Sequence, residues 1–368
     1  MDSRVRGNDC EVDIHYYSTP SRGDKGFAVN QEIDMNLRIT FFVWVIILLA
    51  ALFVVPVTVF ADGNPSAHFG GSLFATAVLS ETDYIMVGDR GKILLSNDGA
   101  NSWRAVDSGT KVALSSVCFP DGEQGWIAGQ AGVLLHSEDG GKTWQPQSSG
   151  VTTYLLDVDF VDARHGMVVG RDTTVLATVD GGRTWRRSPL KESTDLFDDL
   201  NFFAVAVMDD RHACVVGDMG RIFITEDGGA NWSESKTSLY DEQMMMGRIL
   251  YALAYDSDTL YAAGIDSTFA YSKDLGKSWT VGDTGFSKPD LYGIEVVGDI
   301  GLAVGSGGHV VRTSDGGSTW QLIEVPERIT RFWLSGVDLK RDHSGKVRGL
   351  MVGKRGTFGH FVDGLLSW

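Results

Sequence analysis

The chain of 368 residues is 43% hydrophobic and 22% charged, which places it among globular proteins and outside the disordered class. Its formal net charge of −16 speaks against a nucleic-acid partner, because a phosphate backbone selects a basic face. Three widely spaced cysteines, Cys10, Cys118 and Cys214, form neither a disulfide framework nor a CxxC metal motif, and no cofactor motif accompanies them.

Residues 1–34 are polar and irregular and read as a disordered or non-native leader ahead of a start at Met35. From Met35 the chain runs through Arg38 into an apolar stretch, Ile39 to Phe60, and then Ala61. A basic residue, an apolar run and the small residues of Val59-Phe60-Ala61 have the layout of a signal peptide. The run is also long enough to serve as a membrane anchor. Residues 35–61 are therefore expected to be one or the other, and the remainder to be exported, in the periplasm or an equivalent compartment.

The rest of the chain is a repeat. "SNDGANSW" at 96–103 returns as "SEDGGKTW", "TVDGGRTW", "TEDGGANW", "SKDLGKSW", "TSDGGSTW" and, degraded, "FVDGLLSW". Its tryptophans are Trp103, Trp144, Trp185, Trp232, Trp279, Trp320 and Trp368, spaced by 41 to 48 residues. Before each run lies a turn bracketed by two glycines, as in "VGDRGKILLS", or in two copies, "VGRDTTVLAT" and "AGIDSTFAYS", lacking the second; before that lies a short apolar strand beginning at Leu73, Leu114, Leu155, Phe202, Leu250, Leu291 or Leu334. Strand start to tryptophan takes 29 or 30 residues in six copies and 34 in the last, whose excess falls in "KRDHSGKV". Short β-rich strands broken by glycine turns, four to a unit of this length, predict propeller blades. Seven copies predict an all-β, seven-bladed β-propeller over 62–368, with blades at about 72–110, 111–151, 152–198, 199–246, 247–287, 288–330 and 331–368. The chain stops at Trp368, where other blades begin their fourth strand. Residues 62–71 are therefore expected to supply the missing outer strand and latch the ring.

The chemistry of the run is that of a turn. An aspartate accepts N–H bonds from the residues after it, glycines take positive φ, and Ser or Thr closes the ends. Asp98, Asp139, Asp180, Asp227, Asp274, Asp315 and Asp363 are therefore read as structural, as are the tryptophans, because seven carboxylates spread round a ring cannot share one catalytic pocket. The run resembles the Asp-box, or bacterial neuraminidase repeat. The fuller unit, "LSSVCFPDGEQGWIAGQAGVLLHSEDGGKTW", resembles the repeat of the photosystem II stability/assembly factor family, over about 72–368. The resemblance implies a non-catalytic, exported scaffold that assists assembly or stability of a membrane protein complex, with a membrane-protein subunit as partner and no cofactor. The alternative is a carbohydrate-active propeller, sialidase-like or lectin-like. The Phe/Tyr-Arg-Ile-Pro motif of sialidases is absent.

Candidate partner-binding residues lie in the turns between strands two and three, on the face away from the aspartate turns. They are Arg90, Arg171, Lys354 and Arg355, with Gln130, Met219, Asp266 and Gly307 at the matching positions of other blades. Guanidinium forks suit carboxylates and phosphates, while simple solvation of turn arginines is the other reading. Two long connections add Tyr240 with Met244, Met245 and Met246, and Arg328 with Arg331, Phe332 and Trp333; packing onto the rim is their alternative role. The propeller is read as a monomer. An enzyme should bring two carboxylates, or three arginines with a Tyr–Glu pair, to the ring centre; a scaffold should present an open basic or apolar patch.

Overall fold

The computed structural model describes residues 69–190, 200–235, 237–241, 246–282 and 289–368, so the leader and the apolar stretch lie outside the described residues. Seven four-stranded antiparallel sheets follow one another in chain order, each built as a meander from first to fourth strand. The first strands are Leu73–Val78, Leu114–Cys118, Leu155–Phe160, Phe202–Val207, Leu250–Asp256, Leu291–Val297 and Leu334–Arg341. Each packs beside the next, and the seventh packs beside the first, which makes the chain a seven-bladed β-propeller with these strands innermost. The core lies between blades, where second strands that are buried throughout, such as Tyr84–Gly88 and Gly125–Gly129, meet the neighbouring sheet.

Strands two and three are joined by a two-residue turn with both residues at positive φ. The pairs include Arg90-Gly91, Ala131-Gly132, Met219-Gly220, Gly307-Gly308 and Arg355-Gly356. This turn matches the twist of a hairpin and favours glycine second. At Gly91 a side chain would also strike the Thr110 carbonyl, 2.2 Å from an ideal Cβ. Blades 3 and 5, which lack the second glycine, hold Asp172-Thr173 and Asp266-Ser267 in the same left-handed pair.

The aspartate turn joins strands three and four in six blades. In blade 2, Ser137 Oγ donates to Asp139 Oδ1 at 2.9 Å and accepts from Gly141 N at 2.9 Å. Thr143 donates its N–H to Oδ1 at 2.9 Å and its hydroxyl to Oδ2 at 2.7 Å. Asp98, Asp180, Asp227, Asp274 and Asp315 repeat the pattern. Hydrogen bonds from the side chain and main chain of Asn231 hold the Asp227 carboxyl down at about 2.

Blade 7 departs from expectation twice. Its fourth strand is its own, Leu365–Ser367, and lies before the final tryptophan rather than after it. Asp363 and Gly364, at φ 49° and 95°, form a two-residue hairpin turn between Val362 and Leu365. Asp363 is thus no member of the aspartate-turn set: Phe361 stands where the others have Ser or Thr, and it has no hydroxyl to give. Trp368 correspondingly starts no strand, and its ring lies over Gly359. The outer strand expected from 62–71 is therefore not required. Residues 62–68 lie outside the described residues, and Phe69 packs on Phe358 with ring centroids 6.2 Å apart.

Thr225→Val tests the turn. It leaves the buried Gly229 N–H without its acceptor, so it should cost about 1–3 kcal/mol in urea unfolding. Asp363→Asn should change stability by less than about 0.5 kcal/mol. Equal effects would contradict the distinction.

Candidate functional site

The first strands enclose a cavity of about 550 Å³ along the ring axis. In every blade the pairing of first and second strands slips by one residue near the turn face. The extra residues are Phe74, Ser115, Leu156, Phe203, Tyr251, Tyr292 and Ser335. A bulge re-aims the side chain it carries, and all seven line the cavity. The rim is mostly aromatic. Phe203 meets Tyr251 edge-on at 5.3 Å, Tyr251 meets Tyr292 at 5.3 Å, and Phe74 stacks on Trp333 at 5.9 Å. Burial first, then the nearby Asp290 carboxylate, pushes the Tyr292 phenol up to about 12.

Deeper in the cavity lie Asp157, Asp159, Glu295 and Asp338. Carboxylates at the ring centre are what an enzyme should show, so their partners matter. Asp157 accepts from Ser116 Oγ at 2.7 Å, its neighbour Val158 N at 2.9 Å and Val205 N of blade 4 at 2.9 Å. Asp159 accepts from Val207 N of blade 4 at 2.7 Å and Phe160 N at 2.9 Å. Asp338 accepts from Val78 N of blade 1 at 2.6 Å. These side chains satisfy backbone donors on the open edge of the neighbouring innermost strand. Lys340 is the one cation among the described cavity-lining residues, and no arginine joins it.

Burial pushes the Asp157 and Asp338 carboxyls up to about 6. Asp159 is raised, and Glu295 lies well above the usual range through burial and the Asp338 charge. The Cys118 thiol, 3.5 Å from Asp159, is raised by burial as well, which makes it a poor nucleophile.

The predicted partner-binding residues divide by position. Arg90 and Arg355 are exposed at turn tips of adjoining blades. The chain enters the propeller between them: Asp89 Oδ2 accepts from Ser72 N at 2.6 Å, Lys92 Nζ donates to the Phe69 and Gly70 carbonyls, and Phe69 lies against Gly356. Arg355 stacks on Phe332 at 5.5 Å, and exposed Lys354 donates its backbone N–H to the Trp333 carbonyl at 3.0 Å. Arg331 is exposed and ion-paired with Glu327 at 3.3 Å. Blades 7 and 1 thus gather Arg90, Lys354, Arg355 and Trp333. Arg171 stands apart on blade 3, over the Tyr154 ring at 5.5 Å. Met245 and the Tyr240 side chain lie outside the described residues; the Tyr240 backbone pairs with Gly247 in a short hairpin. Sequence reasoning missed the bulged rim. Its signal was an aromatic directly after the strand's first residue in four of seven repeats, at Phe74, Phe203, Tyr251 and Tyr292.

The raised carboxyls bind protons more tightly in the folded chain than in the unfolded one. They therefore favour folding at mildly acid pH, and that contribution is lost as pH rises through about 6. The turn aspartates act oppositely, adding stability that disappears as pH falls below about 4. Asp338→Asn keeps an oxygen for Val78 N–H but cannot titrate. Its urea-unfolding stability should fall less than that of the wild type between about pH 5 and about pH 7; parallel profiles would contradict the assignment.

The family model "Photosynthesis system II assembly factor YCF48" matches residues 72–150 and 144–234. No curated protein matches the chain. Among solved structures, one described as YCF48 bound to D1 peptide is 16% identical, covers 83% of this chain and 96% of its own, and has a TM-score of 0.60. YCF48 from Cyanidioschyzon merolae is 18% identical, with coverage of 82% and 97% and a TM-score of 0.62. A GH74 xyloglucanase from Xanthomonas campestris is 12% identical with a TM-score of 0.60, and the match spans 83% of this chain and 53% of that one. At such identities the likeness is one of fold; the repeat itself carries the family signal. The chain is a seven-bladed β-propeller, and its residues 72–234 match the family model of a photosystem II assembly factor.

Proposed function

We propose that this chain is a non-catalytic binding scaffold, exported across a membrane, that holds an extended segment of a membrane-protein subunit on its turn face during assembly. The observation that carries the reading is the set on blades 7 and 1, where Arg90, Lys354 and Arg355 are exposed at the turn tips, Arg355 lies over Phe332, and Phe74 stacks on Trp333. Guanidinium forks bind carboxylates, and flat rings supply contact area at small entropic cost. A YCF48 structure holding a D1 peptide supports a peptide-binding role for a propeller of this kind. The cavity carboxylates support a scaffold rather than a hydrolase, because Asp157, Asp159 and Asp338 are engaged with backbone donors of adjoining blades.

The apolar stretch Ile39–Phe60 fits export, as a cleaved signal or as a tether. It is joined to Phe69 by residues 61–68, and Phe69 lies beside the proposed binding cluster.

The test is a pulldown from detergent-solubilised membranes with the full chain and with Arg90→Ala/Arg355→Ala. Ala131 occupies the Arg90 position in blade 2, so the turn accepts alanine there. The variant should recover at least about tenfold less of the partner subunit. Equal recovery would remove the arginines from the site, and hydrolysis of xyloglucan or sialosides by the wild type would overturn the non-catalytic reading.

A further inference from the structure

The two halves of the turn face differ in chemistry. Blades 7 and 1 offer cations. Blades 4, 5 and 6 offer the continuous edge-to-face row Phe203–Tyr251–Tyr292, each ring re-aimed toward the cavity mouth by a bulge. The rings are half-buried, with surface left to the cavity. Elsewhere on this face, aromatic rings already carry a cation, Arg355 on Phe332 and Arg171 on Tyr154. Among the described residues no cation stacks on the Phe203–Tyr251–Tyr292 row.

Anionic groups border that row. Asp266 stands exposed at the blade 5 turn tip, at φ 51°, and its carboxylate accepts no hydrogen bond from the described residues. Asp290 accepts from the Tyr292 hydroxyl at 3.4 Å and from Asp266 N at 3.0 Å. Burial, then the Asp290 and Asp218 charges, raises the Tyr251 phenol, which places both carboxylates within electrostatic reach of the ring. Ring faces edged by carboxylates attract a cation and repel an anion.

We propose that the Phe203–Tyr251–Tyr292 row, bordered by Asp266 and Asp290, takes a lysine or arginine side chain of the docked segment. The same segment places an acidic group on Arg90 and Arg355. The face then recognises an extended peptide with opposite charges set apart along its length, and it sets the direction in which that peptide lies. This rests on the peptide-binding reading above. An anionic bilayer fits the face less well, because its acidic half would be driven off.

The test is fluorescence anisotropy with the full chain and labelled peptides of about ten residues, long enough to cross the mouth when extended. The parent peptide carries lysines at one end and glutamates at the other; two derivatives replace the lysines or the glutamates with glutamine. Removing the lysines should weaken binding to the wild type about tenfold, yet less than about twofold to Tyr251→Leu or Asp266→Asn. Asparagine tolerates the left-handed conformation at position 266, so that variant keeps the fold if Tyr251→Leu does not. Arg90→Ala/Arg355→Ala should lose its response to the glutamates and keep its response to the lysines. Binding by the wild type that depends on the glutamates but not on the lysines would overturn this inference and leave the parent reading standing. Failure of all three peptides to bind would overturn both.

Discussion

A β-sheet ends in an edge of unpaired N–H and C=O groups, and this fold turns seven such edges toward one axis. The structure depends on how those edges are satisfied. Side chains of one blade reach the backbone of the next: Asp157 to Val205, Asp159 to Val207, Asp338 to Val78, Ser115 to the Leu155 carbonyl, Ser335 to the Phe74 carbonyl. The last and first blades are joined in the same way as the others. Among the described residues no strand is exchanged between them: blade 7 is completed by its own Leu365–Ser367, and Phe69 fills the seam against Phe358. Closure rests on side chains and apolar packing.

That solution decides where chemistry is left over. Carboxylates committed to neighbouring backbone are anchored, and burial raises their pKa values. Three of the four cavity carboxylates, Asp157, Asp159 and Asp338, are thus tied to the architecture, and further polar and aromatic groups lie at the cavity mouth. Two local devices put them there. The bulge that begins each innermost strand swings one residue into the mouth, and the left-handed hairpin turn lifts one side chain clear of the sheet in every blade but the sixth, where Gly307 has none. Both devices recur in every blade, while their occupants differ. Serine at Ser115 and Ser335 fastens a neighbouring blade, Leu156 stands in blade 3, and phenylalanine or tyrosine in the other four lines the cavity mouth.

The architecture was legible because it is local. Each aspartate turn closes within eight residues, and a tryptophan at a steady interval marks the blade. Even the two turns lacking their second glycine kept the register, and the structure holds Thr173 and Ser267 in the conformation that glycine takes elsewhere. Asp363 was misread because the Asp-Gly pair outweighed Phe361, the residue that removes the hydroxyl the turn needs. The cavity carboxylates were illegible as such. Asp157 meets Val205 across 48 residues and Asp338 meets Val78 across 260, and no spacing rule links those positions. The order of the repeats already put Arg90 and Arg355 on neighbouring blades and Arg171 on blade 3, and the structure has all three in the turns between second and third strands.

The central claim is that one face of the ring binds and the opposite face only fastens. Backbone hydrogen exchange of the full chain, alone and with the membrane subunit proposed as its partner, measures this directly. Protection is predicted at the 89–92 and 354–357 turns, around Phe332 and Trp333, and along the starts of the innermost strands at Phe203, Tyr251 and Tyr292. Protection confined to the aspartate turns, at 137–144, 178–185 and 225–232, would contradict it.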